Sequence, residues 1–483
     1  MHPLSQTSLV VAQSITMKQL LALISLTASL AAPAAEKPNI IYILADDLGI
    51  NDFGCYGQKI MKTPRIDQMA KEGMQFFNHY SGSTVCAPTR SCLMTGQHTG
   101  RTRIRGNSKT HLKPEDVTVA EVLKKAGYAT GCVGKWGLGE AGSPGIPNKQ
   151  GFDFFFGYLN QSRAHRFYPD YIWRNEKKEH YPGNPIKRET YIHDNFTEEG
   201  LNWIEKQSKT DEPFFLYMAY TLSHVDLDVP DDSMKPYLET IKEKGPYKNP
   251  NSPKKGYRSH PTPRACFAGM TSRLDRDVGR ILDLVDKLGL SKNTIIMFSS
   301  DNGPTPAGGA DPEYFDGNGI YKGIKRDLYE GGIRAPFIAR WPDTIKAGSR
   351  SNHVSAHWDL MATVSELTGT SPADDHTGIS FLPSLLGKGE QKSHDHLYWE
   401  FYERGGKQAI RKGDIKAVRL DRIKSGAKGP WEIYDLSSDP GEKTNLASKR
   451  PELQAVFNKL ANEAATESTL FNWKPRGGKR KKN

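Results

Sequence analysis

The chain has 483 residues, of which 37% are hydrophobic and 25% are charged, with 45 Gly and 30 Pro. This composition excludes a wholly disordered, collagen-like or coiled-coil protein, and five Cys in so long a chain exclude a small disulfide scaffold. The formal charge of +11 fits an anionic partner, but four of the positive charges lie in the tail Lys479–Lys482. The body of the chain shows no basic stripe interleaved with aromatic residues, so we expect no nucleic-acid partner.

Residues 1–35 are typical of a secretion signal. The apolar run Leu20–Ala32 follows Lys18, and small residues of a cleavage site stand at Ala32-Pro33-Ala34. The run is too short to span a bilayer comfortably, and no Cys follows it that could carry a lipid anchor. Residues 1–13 contain no Lys or Arg, which leaves both Met1 and Met17 open as the start. We expect a periplasmic or secreted mature protein without stable membrane insertion.

From residue 39 to residue 367, apolar runs alternate with helical patterns. The run Asn39–Ala45 is continuous and β-branched, as expected of a strand buried on both faces. The patterns that follow predict helices over 63–73, 114–125, 194–206, 264–288 and 356–367, and strands over 128–133, 213–219, 294–299 and 336–340. This alternation predicts an α/β fold with helices on both faces of the sheet.

The pattern changes after about residue 387. Short strands are predicted over 397–401, 408–410, 415–419 and 433–436, followed by a helix over 451–467. We therefore expect a larger domain over 36–387 and a small antiparallel α+β subdomain over 388–483, with a basic tail from about residue 476.

Polar side chains follow several of the apolar runs directly. These side chains belong to Asp46-Asp47, Lys135, His224 and Asp301-Asn302. Ligands of open α/β sheets bind off the carboxyl ends of the strands, so these positions predict a shared site. Taken singly, each of the pairs Asp46-Asp47 and Asp301-Asn302 could also form a turn or a helix cap. Together the two pairs offer four oxygen donors, which favour Ca²⁺ or Mg²⁺ over Zn²⁺.

Cys86 stands before Ala87-Pro88 and a helical pattern, which places it near a helix N-terminus, where thiolates and anions are stabilised. Taken alone, such a residue is more often a buried free thiol or half of a disulfide. The remaining cysteines carry no motif and are expected to be core or disulfide residues; they are Cys55, Cys92, Cys132 and Cys266.

The segment Cys86-Ala-Pro-Thr-Arg90, followed by Thr95-Gly96, resembles the signature of the formylglycine-dependent sulfatases, among them bacterial carbohydrate sulfatases. Further elements that resemble the family follow in order: Asp46-Asp47, Gly134-Lys135-Trp136, His224, Ser300–Gly303, and Lys325 ahead of Tyr329–Arg334. The resemblance covers about residues 38–446. It implies a sulfuric ester hydrolase with an alkaline-phosphatase-like fold, in which a large mixed sheet flanked by helices carries a small C-terminal antiparallel subdomain.

The resemblance also implies a role for each matched residue. A dedicated maturing enzyme oxidises Cys86 to formylglycine, whose hydrate attacks sulfur and later expels sulfate. One divalent cation, usually Ca²⁺ with Mg²⁺ possible, is bound by Asp46, Asp47, Asp301, Asn302 and the modified Cys86. Arg90 hydrogen-bonds the hydrate, and Lys135 and Lys325 bind the sulfate oxygens. His224 is the general acid beside the leaving oxygen.

One position departs from the family pattern. Many sulfatases read Gly-Lys-Trp-His-Leu-Gly and use that His to deprotonate the hydrate, whereas this chain has Gly137 there. His165, in a predicted loop, and His111 are two candidates for the missing base. A structural role for His165 stays open.

The substrate is expected to be a sulfated glycan with galactose or N-acetylgalactosamine units. Residues 140–190 are predicted to form a long loop whose cations suit further sulfates and whose aromatic rings suit sugar faces. The residues concerned are Arg163, His165, Arg166, Tyr168, Tyr171 and Trp173. Two alternatives remain. A phosphoesterase of the same superfamily is disfavoured by the single-cation ligand set, and a non-catalytic glycan-binding relic is supported only by Gly137.

Overall fold

A computed structural model describes residues 37–251, 256–425 and 429–473. The predicted signal peptide and the basic tail lie outside these described residues. The described strands are β1 (Asn39–Ala45), β2 (Met74–Phe76), β3 (His79–Tyr80), β4 (Ala129–Lys135), β5 (Phe154–Tyr158), β6 (Tyr171–Arg174), β7 (Lys177–His180), β8 (Phe214–Ala219), β9 (Thr294–Ser300), β10 (Phe337–Arg340), β11 (Ser349–Ser351), β12 (Ser355–Ala356), β13 (Leu397–Phe401), β14 (Lys407–Lys412), β15 (Ile415–Arg419) and β16 (Glu432–Asp435).

Ten of these strands form one mixed sheet in the order β11-β2-β10-β9-β1-β8-β4-β5-β6-β7. The central strands β9, β1, β8, β4 and β5 are parallel, whereas β10 pairs antiparallel with β9, and β6 pairs antiparallel with β5 and β7. The parallel strands end level with one another, since Ala45 lies opposite Ser300 and Ala219 opposite Gly134. Their carboxyl ends therefore form one continuous edge.

Helices cover both faces of the sheet. The described α-helices are Pro64–Glu72, Cys86–Thr95, Val119–Lys125, Asn184–Lys187, Ile192–Gln207, Asp231–Leu238, Pro263–Lys287, Glu330–Ile333, Asp359–Thr368, Leu382–Leu386, Arg422–Ser425 and Glu452–Ala464. Ile41 and Ile43 of β1 pack in the hydrophobic cluster that holds the helices 64–72, 192–207 and 263–287. Tyr42 and Leu44 pack in the opposite cluster, with the helices 86–95, 119–125 and 359–368. The predicted α/β architecture, with a central strand buried on both faces, is confirmed.

Two predictions of local structure were wrong. The helix expected over 114–125 begins only at Val119, because Thr118 caps it: the Thr118 hydroxyl accepts from the Glu121 amide, and the Glu121 carboxylate accepts from the Thr118 amide. The segment 140–190 is not one long loop, because β5, β6 and β7 extend the large sheet there. No helix in the described part of the chain is long and apolar enough to cross a membrane.

A four-stranded antiparallel sheet, β13-β14-β15-β16, follows the large sheet, as predicted. Buried charged side chains join the small sheet to the helix 330–333. Lys416 Nζ of β15 lies 2.8 Å from Glu330 Oε1 and 3.2 Å from Glu442 Oε1, and all three side chains are fully buried. Arg334 pairs with the other oxygen of Glu330 at 2.6 Å. Lys416 is thus the cation that two buried carboxylates share.

Replacing Lys416 by Met is expected to lower the free energy of unfolding by about 3–5 kcal/mol, because it leaves a buried carboxylate without its counter-charge. Chemical denaturation measures this. The matched control is Lys459→Met, since Lys459 is an exposed lysine 3.9 Å from Glu463, and exposed pairs contribute about 0–1 kcal/mol. Equal effects of the two variants would contradict a stabilising role for the buried cluster.

Candidate active site

The polar residues predicted to form a site lie together at the carboxyl ends of the parallel strands. Asp46 and Asp301 directly follow β1 and β9, and Lys135 is the last residue of β4. His224 stands in the segment after β8. Asp46, Lys135 and Asp301 are fully buried, and His224 is almost so. The level ends of the strands thus bring side chains from four elements into one buried site.

Cys86 is the first residue of the helix Cys86–Thr95. Its Sγ lies 3.4 Å from Asp46 Oδ1 and 3.9 Å from Lys325 Nζ. Burial raises the pKa of the Cys86 thiol far above its usual range, and the carboxylates of Asp301 and Asp46 raise it further. The surroundings therefore do not stabilise a thiolate, and an unmodified Cys86 is a poor nucleophile here.

Arg90 and Lys135 bind the carboxylates of this site. Arg90 Nη2 lies 3.3 Å from Asp46 Oδ2 and 3.2 Å from Asp301 Oδ2. Its Nη1 donates to the Lys135 carbonyl at 2.7 Å, and Lys135 Nζ lies 2.6 Å from Asp46 Oδ2. Arg90 therefore holds two strand ends in position, whereas the family resemblance gave it the hydrated aldehyde as its partner.

Asp47, like Asp46, contacts several residues of the site. Its φ of 67° lies in the left-handed region, which bends the chain directly after β1. Asp47 Oδ1 accepts from Lys325 Nζ and, at 2.9 Å, from Asn302 Nδ2. Its amide donates to Asp301 Oδ1 at 3.1 Å, and its Oδ2 lies 3.4 Å from His224 Nε2. The bend brings both adjacent carboxylates into one site.

The charges of the site determine which carboxyl groups are ionised. Burial alone would raise the pKa of Asp46, but Lys135, His224 and Arg90 hold it well below its usual range. Burial, and after it the nearby Asp46, raise the pKa of Asp301 to about 7. The carboxyl groups of Asp46, Asp47 and Asp301 face the cations of Arg90, Lys135 and Lys325.

The donor set fits a divalent cation. Ligand atoms of Asp46, Asp47, Cys86 and His224 lie within 4.8 Å of one another. Two buried oxygens of the site, Asp47 Oδ2 and Asn302 Oδ1, accept no hydrogen bond. Buried acceptors without a donor mark a place where an ion or water belongs. His224 joins this group although the sequence did not suggest it as a ligand, while Asp301 is linked to it through the Asp47 amide.

His165 lies beside His224. Their rings stack with centroids 4.4 Å apart and an angle of 16° between planes, and Tyr257 packs against His165 with centroids 5.8 Å apart. Burial lowers the pKa of His224 to about 4 and that of His165 to about 2. Both rings are therefore neutral near pH 7. His111 instead lines a cavity of about 470 Å³ that also reaches Gly137.

Most side chains expected to contact a glycan are engaged within the protein. Arg163 pairs with Asp170 and lies over the Tyr171 ring, 3.7 Å from its centroid. Arg188 covers the Tyr168 ring at 4.1 Å, and Trp173 lies on β6 near Lys178. Arg166 differs from these, because its side chain is 46% exposed and its Nη1 lies 3.5 Å from the buried Asp226.

Comparison with known proteins gives a family. The family model described as Sulfatase matches residues 38–370, and a second, described as N-sulphoglucosamine sulphohydrolase, C-terminal, matches residues 318–469. The first match alone spans more than half of the chain. The chain belongs to the sulfatase family. The family generally uses formylglycine and a divalent cation, in agreement with Cys86 beside a cluster that can hold a metal ion.

Several relatives of this sulfatase are similar over nearly their whole length. N-acetylgalactosamine-6-sulfatase of Mus musculus is 31% identical over 91% of this chain and 84% of its own. N-acetylgalactosamine-6-O-sulfatase of Bacteroides thetaiotaomicron is 31% identical over 89% and 94%. The crystal structure of Ps i-CgsB in complex with k-i-k-neocarrahexaose has a TM-score of 0.74 at 27% identity, covering 90% of this chain and 96% of that one.

Sequence reasoning missed three residues of this sulfatase's site. Asn107 Oδ1 accepts from the Ala87 amide at 3.2 Å, and so supports the helix turn that carries Cys86. Tyr257 packs on His165, and Gln161 lies against Gly137. None of the three stands in a motif. Only the contact with Gly137 could have been anticipated from the sequence. A glycine where the family has a His implies that another side chain fills the space, and this side chain is Gln161.

Proposed function

We propose that this sulfatase hydrolyses a sulfate ester of a sulfated carbohydrate through a formylglycine formed from Cys86 and one divalent cation, with Ca²⁺ favoured. The observation that carries the proposal is the position of Cys86, at a helix N-terminus between Asp46 and Lys325. Formylglycine supplies a hydrated aldehyde that can attack sulfur and later release sulfate, and the cation supplies Lewis-acid polarisation of sulfate oxygens.

The site residues have separate proposed roles in binding sulfate, positioning the carboxylates and binding the cation. Lys135 is paired with Asp46 and Lys325 with Asp47, so two ammonium groups stand in the site, where they can stabilise the charge that develops on sulfate oxygens. Arg90 fixes Asp46 and Asp301 relative to the helix of Cys86. Asp46, Asp47, Asp301 and Asn302 would hold the cation.

His224 is the proposed acid at the leaving oxygen. Its Nδ1 contacts the Val225 carbonyl, which orients the ring and leaves Nε2 facing the site near Asp47. Since His224 is neutral in the free site, it can protonate the leaving oxygen only after it has taken up a proton, for which the attacking hydroxyl of the hydrate is the proposed source. His224→Ala is expected to impair substrates with poor leaving groups most, because activated aryl esters need little protonation of the leaving oxygen.

The substrate proposal is a glycan with galactose or N-acetylgalactosamine units. It is supported by the two similar N-acetylgalactosamine sulfatases at 31% identity and by the similar structure of Ps i-CgsB, which is in complex with k-i-k-neocarrahexaose. The experiment is sulfate release from a panel of monosulfated galactose and N-acetylgalactosamine sugars, with glucosamine sulfates and aryl sulfates for comparison. We expect the highest kcat/KM on one of the galactose-type sugars. Release from no sugar by the matured protein would contradict the proposal.

Export and maturation belong to the same proposal. The apolar segment Leu20–Ala32 supports export to the periplasm or the medium. The signature Cys86–Arg90 supports recognition by a formylglycine-generating or sulfatase-maturing enzyme as a transient partner. Production with such an enzyme is therefore part of each activity measurement proposed for this protein.

His165 is proposed as the base that replaces the family His at Gly137. Its ring lies in the site, stacked on His224. If His165 takes the proton whose loss releases sulfate, His165→Ala should lower kcat by about 10²–10⁴-fold with little change in KM. Steady-state kinetics on the preferred glycan sulfate measures this.

The matched variant is His165→Phe, which keeps an aromatic ring against His224 but has no nitrogen. If His165 is the base, kcat should fall by the same factor in His165→Ala and His165→Phe. Full activity in His165→Phe with loss in His165→Ala would show that the ring only supports His224, and would leave His111 as the remaining candidate.

A further inference from the structure

Gln161 stands at the same sheet edge as the catalytic residues. Strands β4 and β5 continue to pair past their ends, since the Trp136 amide donates to the Tyr158 carbonyl at 2.9 Å and the Gly137 amide to the Leu159 carbonyl at 3.0 Å. Gln161 follows two residues later. Its side chain thus lies beside the segment that begins with Lys135.

The Gln161 carboxamide occupies the space of a side chain at position 137. Gly137 has a φ of 80°, and a Cβ built on it would lie 2.0 Å from Gln161 Nε2 and 3.0 Å from Gln161 Cδ. The backbone angle favours glycine, and a side chain at 137 would displace the end of the Gln161 side chain. The present position of the Gln161 carboxamide therefore depends on the glycine at 137.

The Gln161 amide nitrogen is buried and has no hydrogen-bond partner. A carboxamide can donate two hydrogen bonds from its nitrogen and accept at its oxygen, but it does not take up a proton near neutral pH. Buried donors in folded proteins are nearly always paired, so an unpaired one beside a catalytic site indicates a place for a ligand oxygen.

A polar cavity of about 470 Å³ adjoins this carboxamide. Asn107 lines this cavity and also accepts a hydrogen bond from the Ala87 amide. The same side chain therefore borders the cavity and supports the helix turn that carries Cys86. Glu140 and Asn160 line it as well and are joined by a hydrogen bond of 3.0 Å. Its volume is in the range of about 300–1,000 Å³ found for small-molecule sites.

We propose that this cavity receives the sugar that carries the sulfate, and that Gln161 donates a hydrogen bond to an oxygen of that sugar. The inference rests on the proposed function, in which Lys135 and Lys325 bind the sulfate group. That leaves Gln161 free to bind the sugar. Gln161 is then a substrate-binding residue that favours saccharide esters, and the proton acceptor must be a different residue.

The test compares matured wild-type enzyme with Gln161→Met, which keeps the length of the side chain and removes the groups that could hydrogen-bond the sugar. We expect kcat/KM on the preferred glycan sulfate to fall about 10- to 100-fold, mainly through KM. Inhibition by inorganic sulfate should stay within about twofold of wild type, because sulfate itself does not need Gln161. The control is Gln68→Met, the same substitution in the helix 64–72 outside this cavity, where Gln68 Nε2 donates to Glu72 Oε1 at 2.7 Å, and it should match wild type.

Two results would overturn the proposal: unchanged kinetics of Gln161→Met on the glycan, or a weakening of sulfate inhibition equal to the loss on the glycan. The second would place Gln161 on the sulfate group. Gln161→Ala serves as the second variant if Gln161→Met has a lowered melting temperature. Wild-type enzyme that releases no sulfate would instead contradict the proposed function itself.

Discussion

Cys86→Ala is expected to lower sulfate release by roughly 10⁴-fold or more, as removal of the nucleophile does in other hydrolases. The reason is that the Cys86 side chain occupies the point between Asp46 and Lys325 at which the attacking oxygen has to form. Ala is a good helix former, and the variant loses only a weak thiol hydrogen bond, so the fold should persist. Rates are measured on the preferred glycan sulfate, and folding by thermal unfolding.

Cys86→Ser separates formylglycine chemistry from ordinary hydroxyl chemistry. A serine hydroxyl in the same place can accept a sulfuryl group, but it has no second hydroxyl whose proton could be removed to expel sulfate. We expect at most a single turnover, seen as a burst of the released alcohol without continued sulfate release. Many turnovers by Cys86→Ser would contradict the formylglycine account.

Removing the cation is expected to lower the rate by about 100-fold or more, since Lewis-acid stabilisation of this kind contributes several kcal/mol to the barrier. Activity should return with Ca²⁺ or Mg²⁺. Asp47→Asn should have the same effect and should also lower the bound metal content, because Asp47 Oδ2 is a buried oxygen that accepts no hydrogen bond. Metal content is measured by elemental analysis of the purified protein.

The matched control for Asp47→Asn is Asp52→Asn. Asp52 is also fully buried, and its Oδ1, like Asp47 Oδ2, accepts no hydrogen bond, but its Oδ2 accepts from the Gly49 amide at 2.7 Å and it is not in the metal-binding group. Burial raises the pKa of Asp52 to about 7, so an uncharged side chain is tolerable there. Equal metal loss in both variants, or stoichiometric Zn²⁺ in the wild type, would contradict the proposed site.

The large sheet could be predicted from the sequence because its central strands are buried on both faces. The runs at 39–45 and 294–300 are continuous and apolar, and they are followed directly by Asp46-Asp47 and Asp301-Asn302, so strand and site residues appear together. The signature from Cys86 to Arg90 is equally local, since its residues share one helix turn. Local patterns therefore fix the framework of this site.

The start of the helix at Val119 and the strands within 140–190 have sequence features of their own, although the prediction did not use them. Thr118-Val-Ala-Glu121 is a capping box, which a search for helix starts would have placed correctly. In the segment 140–190, the apolar run Phe154–Tyr158 marks β5. β6 is only four residues long, and β7 is the polar edge strand of the sheet with the sequence Lys-Lys-Glu-His, so neither strand gives a strong apolar pattern.

Contacts between distant segments could not be predicted from the sequence. The stacking of His165 on His224 depends on the paths of two irregular segments that follow different strands. The contact of Gln161 with Gly137 depends on the register of β4 and β5 beyond their ends. Such contacts are set by packing, and a single sequence carries no periodic signal for them.

The most direct measurement is the mass of the tryptic peptide over residues 72–90, which contains Cys86 and ends at Arg90. The protein is produced with and without a sulfatase-maturing enzyme, and sulfate release is measured on the same samples. The account predicts that the co-produced sample contains a lighter peptide in which an aldehyde, reactive toward hydrazides, replaces the thiol. Sulfate release should then rise in proportion to the fraction of that peptide. Full activity in protein whose Cys86 is entirely unmodified would contradict the account.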